Sequence, residues 1–263
     1  MNFPERDAAE HDAIAAHDRI AKYYRFRTPY GASFFQKFAR GVGIGPETEV
    51  LDLCCGTGAV AAGLAPLCRK VDAVDGAPAM IEHAPRIEGV DYHLVDINSP
   101  AFADWASGRT FDLITIGMGI HWLDDAVLDG LRNHLRPGGK LAILATGFVA
   151  DRRNPWFGEY MAIRQSLRHI EVLDWTGEPR LLAMGYGKLE TIEQIYRARA
   201  SARSLVDHML SFSATGEVVA KAYPSVLARM EERLAPFVRD GALDCMWVST
   251  ARICEDQSGL RKI

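Results

Sequence analysis

Val50-Leu-Asp-Leu-Cys-Cys-Gly-Thr-Gly58 is the stretch on which the fold turns. With Glu49 in front, its first half reads as a short apolar strand. Its second half is a glycine turn, and the alanine-rich run 58–68 reads as a helix. Glycines at a strand–helix turn let the backbone approach a ligand and leave helix N–H groups open to an anion. Gly56-Thr-Gly58-Ala-Val-Ala61 also satisfies the G-x-G-x-x-G/A dinucleotide pattern, so the glycines alone do not choose the ligand. Asp52, just before the turn, argues against a diphosphate, which it would repel. It would attract a cationic amino-acid group.

The same rhythm continues outward. Lys70–Asp75, Asp91–Asp96, Phe111–Ile116 and Lys140–Ala145 read as further strands. Between them lie helical runs at 77–84, 100–107 and 124–135, the last ended by Arg136-Pro-Gly-Gly139. Five alternations of strand and helix predict parallel βαβ units in an open doubly wound sheet. In the N-terminal part, 6–40, helical spacing is interrupted at Arg27–Gly31, and 41–46 reads as a loop. After Gly147 the alternation stops. Helices are expected at 156–169, 202–211 and 216–235, and strands at 188–199 and 243–254.

Composition narrows the class. The net charge is -4, with 48% hydrophobic and 24% charged residues, which excludes a disordered chain and a strongly basic nucleic-acid clamp. No apolar run is long enough to span a membrane, and the acidic, polar start lacks the apolar core of a secretion signal. Five cysteines without a C-x-x-C pair fit a reducing, cytoplasmic setting better than disulfides, and predict no metal site.

Asp75 and Asp96 end the second and third strands, so with Asp52 three acids lie along one carboxyl edge. S-adenosylmethionine has an ammonium, a sulfonium, a ribose diol and an adenine amine to meet them. The segments VLDLCCGTG (50–58), VDAVD (71–75), YHLVDI (92–97), FDLITIGMGIHWLD (111–124) and LRPGGKLAIL (135–144), in this order, resemble the class I S-adenosylmethionine-dependent methyltransferases. His121-Trp122-Leu-Asp124 and the segment 201–217 further resemble the small-molecule branch that includes trans-aconitate methyltransferase.

The resemblance implies a Rossmann-like, mostly parallel seven-stranded sheet with an antiparallel last strand and a helical cap. It divides the chain into a cap segment (1–40), a cofactor-binding core (41–150), a cap insertion containing the 188–199 strand (151–215), and a C-terminal helix and strand completing the core (216–263). Asp52 and the backbone of Cys54, Gly56, Thr57 and Gly58 would hold the methionine portion. Asp75 and Gly76 would meet the ribose, with Met80 nearby. Asp96 and the Ile97 N–H would read adenine, and Gly117 and Met118 would line the path beside the methionine. The family usually has glycine where Cys54 stands, so Cys54 is expected to keep a non-glycine backbone angle.

On the acceptor side, Tyr23, Tyr24 and Tyr30, His121 and Trp122, and Trp156 and Arg180 are expected to meet over the transferable methyl, because a ligand crevice lies outside the strand carboxyl ends. His121 is the candidate catalytic residue, with a general base, an acceptor clamp and simple packing all open to it. Several arginine clusters, Arg25 and Arg27 among them, read either as a solvated face or as a site for an acidic acceptor. The activity expected is methyl transfer to an O or N atom of a small molecule, without nucleic-acid or membrane partners. The oligomeric state stays open. Transfer to RNA or protein, or a silent cofactor-binding subunit, are the alternatives.

Overall fold

Short strands that are apolar on both faces must be covered on both faces, and the chain does so with a helix after nearly every strand. The computed structural model describes residues 13–167, 177–187 and 190–255. Before the sheet come α1 (Ala13–Ile20), a 3-10 turn (Ala21–Phe26) and α2 (Phe34–Val42). The core alternates β1 (Glu49–Leu53), α3 (Ala59–Leu64), β2 (Lys70–Asp75), α4 (Pro78–Glu82), β3 (Val90–Leu94), α5 (Pro100–Ala106) and β4 (Phe111–Gly117). A 3-10 turn (Ile120–Trp122), α6 (Asp125–Gly130) and β5 (Leu135–Phe148) follow. The remainder is α7 (Phe157–Leu167), α8 (Glu178–Ala183), β6 (Glu190–Ala200), α9 (Ala202–Leu210), α10 (Gly216–Lys221), α11 (Tyr223–Leu234) and β7 (Leu243–Glu255).

The seven strands form one sheet in the order β3-β2-β1-β4-β5-β7-β6. β1 to β5 are parallel, and β7 runs antiparallel to both of its neighbours. This is the Rossmann-like sheet with an antiparallel last strand in sequence that the resemblance implies. Alternation along each strand splits the core in two. Leu51, Leu53, Ile114, Ile116 and Ile143 pack with Phe102, Leu128, Leu131 and Leu181 on one face. Val50, Val71, Leu113, Ala142 and Leu144 pack with Phe34, Phe35, Phe38, Val60 and Leu64 on the other.

Three local readings change. β5 starts at Leu135 rather than Lys140, because the register with β4 jumps from Phe111↔Leu135 to Leu113↔Lys140 and carries Arg136–Gly139 as an irregularity within the strand. Helix α2 runs on to Val42, into the segment expected to be a loop. Helix α8 was not anticipated. The parts of the expected segments at 1–12, 168–176, 188–189 and 256–263 lie outside the described residues.

A third apolar cluster forms the cap. Trp156, Tyr160 and Ile163 of α7 pack with Leu205, Val206 and Met209 of α9, Val219 of α10, and Val226, Met230 and Leu234 of α11. Tyr23, Phe26 and Phe148 pack against them. Helix α11 therefore belongs to the cap, and of the segment 216–263 it is β7 that joins the sheet. Among the described residues no helix is long and apolar enough to cross a membrane.

Trp156 ties the cap to the sheet. It is 1% exposed, and its indole N–H donates to the Asp244 carbonyl oxygen at 2.8 Å. Trp156→Phe should cost about 1–3 kcal/mol, the penalty for leaving that carbonyl without its donor. Denaturant unfolding checks this, and a variant as stable as the parent would remove Trp156 from the cap–sheet link.

Candidate active site

The turn after β1 lies past the carboxyl ends of β1, β2 and β4, the edge where an open sheet of this kind has its ligand crevice. Gly58 takes a left-handed φ of 79°. A side chain there would meet the Tyr92 hydroxyl at 2.3 Å, so only glycine fits. Cys54 corrects the expectation of an ordinary angle. Its φ is 53°, so it keeps the glycine conformation that the family position demands and bears the strain of a side chain there. That side chain is accommodated by Gly119 across the crevice, where a Cβ would lie 2.4 Å from the Cys54 Cβ. Met118, beside Gly119, is also left-handed at 56°. Two strained non-glycine residues thus stand just past the ends of β1 and β4, the kind of site where strain tends to concentrate.

Asp52 is fully buried on β1. In register with it on β4 stands Thr115, whose hydroxyl donates to Asp52 Oδ1 at 2.8 Å. The other oxygen, Oδ2, is buried with no hydrogen-bond partner. Burial pushes the Asp52 carboxyl up to about 7, although the Thr115 hydroxyl and the Ala61 backbone N–H pull the other way. A carboxyl held there is poised to take up a cationic group.

Asp75 is the clamp between two turns. Its Oδ2 accepts from Gly56 N at 2.8 Å and its Oδ1 from Ala77 N at 2.9 Å. Burial raises its pKa, and the two backbone donors offset part of that rise. Asp96 lies one loop further on, its Oδ1 accepting from Asn98 N at 3.0 Å, and the Ile97 side chain is buried in the core. Gly76 sits between them, where a Cβ would lie 3.3 Å from the Asp96 Cα and 3.1 Å from Ile14. Met80 is buried in a cluster with Ile20 and Ala21. Thr57 is half-buried at the apex of the turn.

The N-terminal segment covers this edge. Asp18 accepts from Ala79 N at 2.9 Å, which docks α1 onto the start of α4. The Tyr24 ring lies 3.3 Å from where a Gly56 Cβ would be, and the Tyr30 hydroxyl 3.7 Å from that of Gly117. His17 meets the Trp122 ring edge-on at 5.0 Å, and Trp122 in turn lies against His121 at 4.6 Å. Tyr24, Tyr30, His121 and Trp122 thus come from two segments to one region.

The other acceptor-side expectations are corrected. Trp156 is enclosed in the cap and presents no surface to a ligand. Tyr23 packs into the cap clusters beside Lys22. Arg180 spends its donors on the protein: Asp125, the Ile120 carbonyl at 3.0 Å and the Leu123 carbonyl at 2.6 Å. It grips the loop that carries His121 and Trp122. Asn98 braces the same loop from the β3 side. Its Nδ2 donates to the Trp122 carbonyl at 2.7 Å, and its Oδ1 accepts from Asp124 N at 3.0 Å. Sequence reading missed Asn98 and Thr115. Thr115 did leave a signal, as the one hydroxyl in the otherwise apolar end of β4.

Residues 50–139, which hold the β1 turn, Asp75 and Asp96, match a family model described as a methyltransferase domain. Over those residues the chain is similar to methyltransferase domains. An uncharacterized methyltransferase of Schizosaccharomyces pombe is 23% identical over 195 residues, 62% of this chain and 75% of that protein. A solved protein from Anaeromyxobacter dehalogenans superposes with a TM-score of 0.66 at 21% identity, over 87% of this chain and 96% of its own. An S-adenosylmethionine-dependent methyltransferase from Geobacter sulfurreducens, solved with S-adenosyl-L-homocysteine, does so with a TM-score of 0.51 at 15% identity, over 92% and 98% of the two chains. Both likenesses concern the fold. The matched residues run from β1 to the start of β5, the parallel part of the sheet.

The Cys54–Gly119 contact is testable on its own. Gly119→Ala should destabilise the domain by about 1–3 kcal/mol, the usual range for overpacking. Cys54→Gly in the same chain should restore most of that loss, since the clash is with the cysteine side chain alone. A double-mutant cycle in thermal or denaturant unfolding measures the coupling. Strictly additive effects would show that the two positions do not share their space.

Proposed function

We propose that this methyltransferase transfers the methyl group of S-adenosylmethionine to an O or N atom of a small-molecule acceptor. The observation that carries the cofactor half of this reading is the Asp52 Oδ2, buried near the carboxyl end of β1 without a hydrogen-bond partner. A buried acceptor without a donor is costly, and a cationic ligand group offsets that cost. In this reading Asp52 holds the ammonium of the methionine portion, directly or through water. Asp75 accepts from the ribose hydroxyls with the lone pairs that Gly56 N and Ala77 N leave over, and Asp96 meets the adenine edge. The bound cofactor supplies an electrophilic methyl group. The chain's own contribution is alignment and exclusion of water, from Tyr24 and Tyr30 over the glycine turns and from Trp122. This enclosure favours a small acceptor over a polymer. The acidic balance of the chain argues the same way against RNA.

His121 stands in the loop that Arg180 and Asn98 brace, and we assign it to the acceptor side. A carboxylate or a neutral amine needs no base to attack a methyl group, whereas a hydroxyl acceptor gains from one. Purified protein, incubated with cofactor and panels of small hydroxyl, amine and carboxylate compounds, should release S-adenosylhomocysteine with a small acceptor and none with RNA or protein substrates. Turnover on RNA alone would reverse this reading. His121→Ala should lower turnover about 10²–10⁴-fold if it acts as a base, with cofactor affinity kept. A fall that only tracks lost stability would leave it as packing.

Two binding measurements check the cofactor side. Asp75→Ala should weaken S-adenosylhomocysteine binding by about 1–3 kcal/mol, and unchanged calorimetric affinity would remove Asp75 from the ribose. Asp52 makes binding depend on pH. Its folded-state pKa of about 7 lies above its ordinary value of 3.8, so the free protein holds a proton between these limits that the unfolded chain does not. Stability from this group is full below the lower value and is lost as pH rises through 7. The cationic ligand prefers the carboxylate, so affinity should rise with pH through about 7, with proton release on binding below it. Asp52→Asn should flatten both dependences and weaken cofactor binding. A pH-independent affinity in the parent would contradict the role of Asp52.

A further inference from the structure

Two arginines meet behind Tyr24 without a carboxylate. Arg27 follows the 3-10 turn of the N-terminal segment, and Arg164 lies on α7. The Arg27 guanidinium carbon stands 5.0 Å from the Tyr24 ring centroid and 4.1 Å from that of Phe212. The Arg164 guanidinium carbon stands 4.0 Å from the same Phe212 ring. The Nε of each is buried and has no hydrogen-bond partner. Among the described residues no acid forms an ion pair with either. Most other buried or half-buried arginines of the chain are matched: Arg132 by Asp129, Arg136 by Glu49 and Asp112, Arg180 by Asp125 and Arg252 by Glu178.

The groups around the pair are neutral. Tyr160 shares a hydrogen bond with His208 Nδ1 at 3.0 Å, and the Thr28 hydroxyl lies 3.2 Å from His208 Nε2. Burial first, and then the charges of Arg27 and Arg164, push His208 down to about 3, so the ring is neutral. Burial and the Arg27 charge also hold Arg164 below its ordinary range. Stacking on Phe212 offsets part of the repulsion, and although the Tyr24 hydroxyl shares a hydrogen bond with Arg27, the Nε–H of each arginine is left without an acceptor. Two forked donors beside hydroxyls, in a partly buried place, form the arrangement that binds carboxylates and phosphates bidentately.

The pair is one side chain away from the crevice. Tyr24 touches Arg27 on one side and covers Gly56 on the other, and Tyr30 feels the charges of both Asp52 and Arg27. We propose that Arg27 and Arg164 form an oxyanion subsite that anchors a carboxylate or phosphate of the methyl acceptor, with Phe212, Tyr160 and Thr28 as its walls. This rests on the small-molecule reading above and narrows it to acidic acceptors. It also assigns a function to the cap, whose α7 and α9 bring Arg164 and His208 to the N-terminal segment.

The test is calorimetric titration of the full chain, with and without S-adenosylhomocysteine, using succinate, inorganic phosphate and the neutral succinamide as probes. Succinate or phosphate should bind saturably and succinamide should not, and the preferred anion tells which oxyanion the subsite takes. Arg164→Met, which keeps the apolar stem, should weaken anion binding by about tenfold or more while S-adenosylhomocysteine affinity stays within about twofold. Arg164→Lys, which keeps the charge and loses the fork, should lose part of the anion affinity and serves if the methionine variant does not fold. Absence of anion binding to the parent chain would overturn the proposal, as would equal binding to the parent and the folded variant. Failure of S-adenosylhomocysteine to bind the parent would instead count against the cofactor reading, with the anion titration still deciding the subsite.

Discussion

A carboxylate enclosed in the apolar end of β1 is the constraint that organises this molecule. Asp52 lies on the face that otherwise buries Val50, Leu113 and Leu144, and Thr115 satisfies one of its two oxygens. Burying such a group without a full set of partners opposes folding, and the surrounding sheet must carry that cost. Position 52 is the last but one of its strand, so the unsatisfied oxygen comes just where the chain leaves the sheet. A site that is unfavourable alone and favourable with a cation bound exchanges stability for affinity.

The remaining crevice features hold this point in register. Asp75 fastens the turn after β1 to the turn after β2 through two backbone amides. Across the crevice, Asn98 and Arg180 grip the loop after β4 from opposite sides in sequence, one from the β3 end and one from α8. With both rims fixed, the left-handed angles at Cys54 and Met118 persist although neither residue is glycine. The cap then sets what reaches the rim. Its aromatic cluster anchors the N-terminal segment, and that segment carries Tyr24, Arg27 and Tyr30 to the open edge.

The parallel core was legible in the sequence because each strand is short, apolar and followed by a helix with its own punctuation. The acidic edge was legible in part: Asp52 and Asp75 end or nearly end their strands, whereas β3 stops at Leu94 and leaves Asp96 in the loop beyond it. The acceptor side was less so. Trp156 and Arg180 carry the residue types of a pocket wall, yet one is consumed by cap packing and the other by carbonyls of the His121 loop. Whether a side chain faces a crevice or its own scaffold is decided by long-range packing, which spacing does not encode. Arg27 was visible only as one of several arginine clusters. Its meeting with Arg164 depends on α7 folding back over the N-terminal segment, and no local pattern predicts that. Cys54 was misjudged because the backbone demand of the turn outweighs the preference of its side chain.

The most direct measurement is a crystal structure of the chain with S-adenosylhomocysteine. The ribose hydroxyls should lie within hydrogen-bond distance of Asp75, the amino group should reach Asp52 or a water bound to it, and the adenine should sit beside Asp96. Density for the ligand on another edge of the sheet, or Asp52 still unpartnered with the ligand in place, would contradict the reading of β1 as the cofactor's seat.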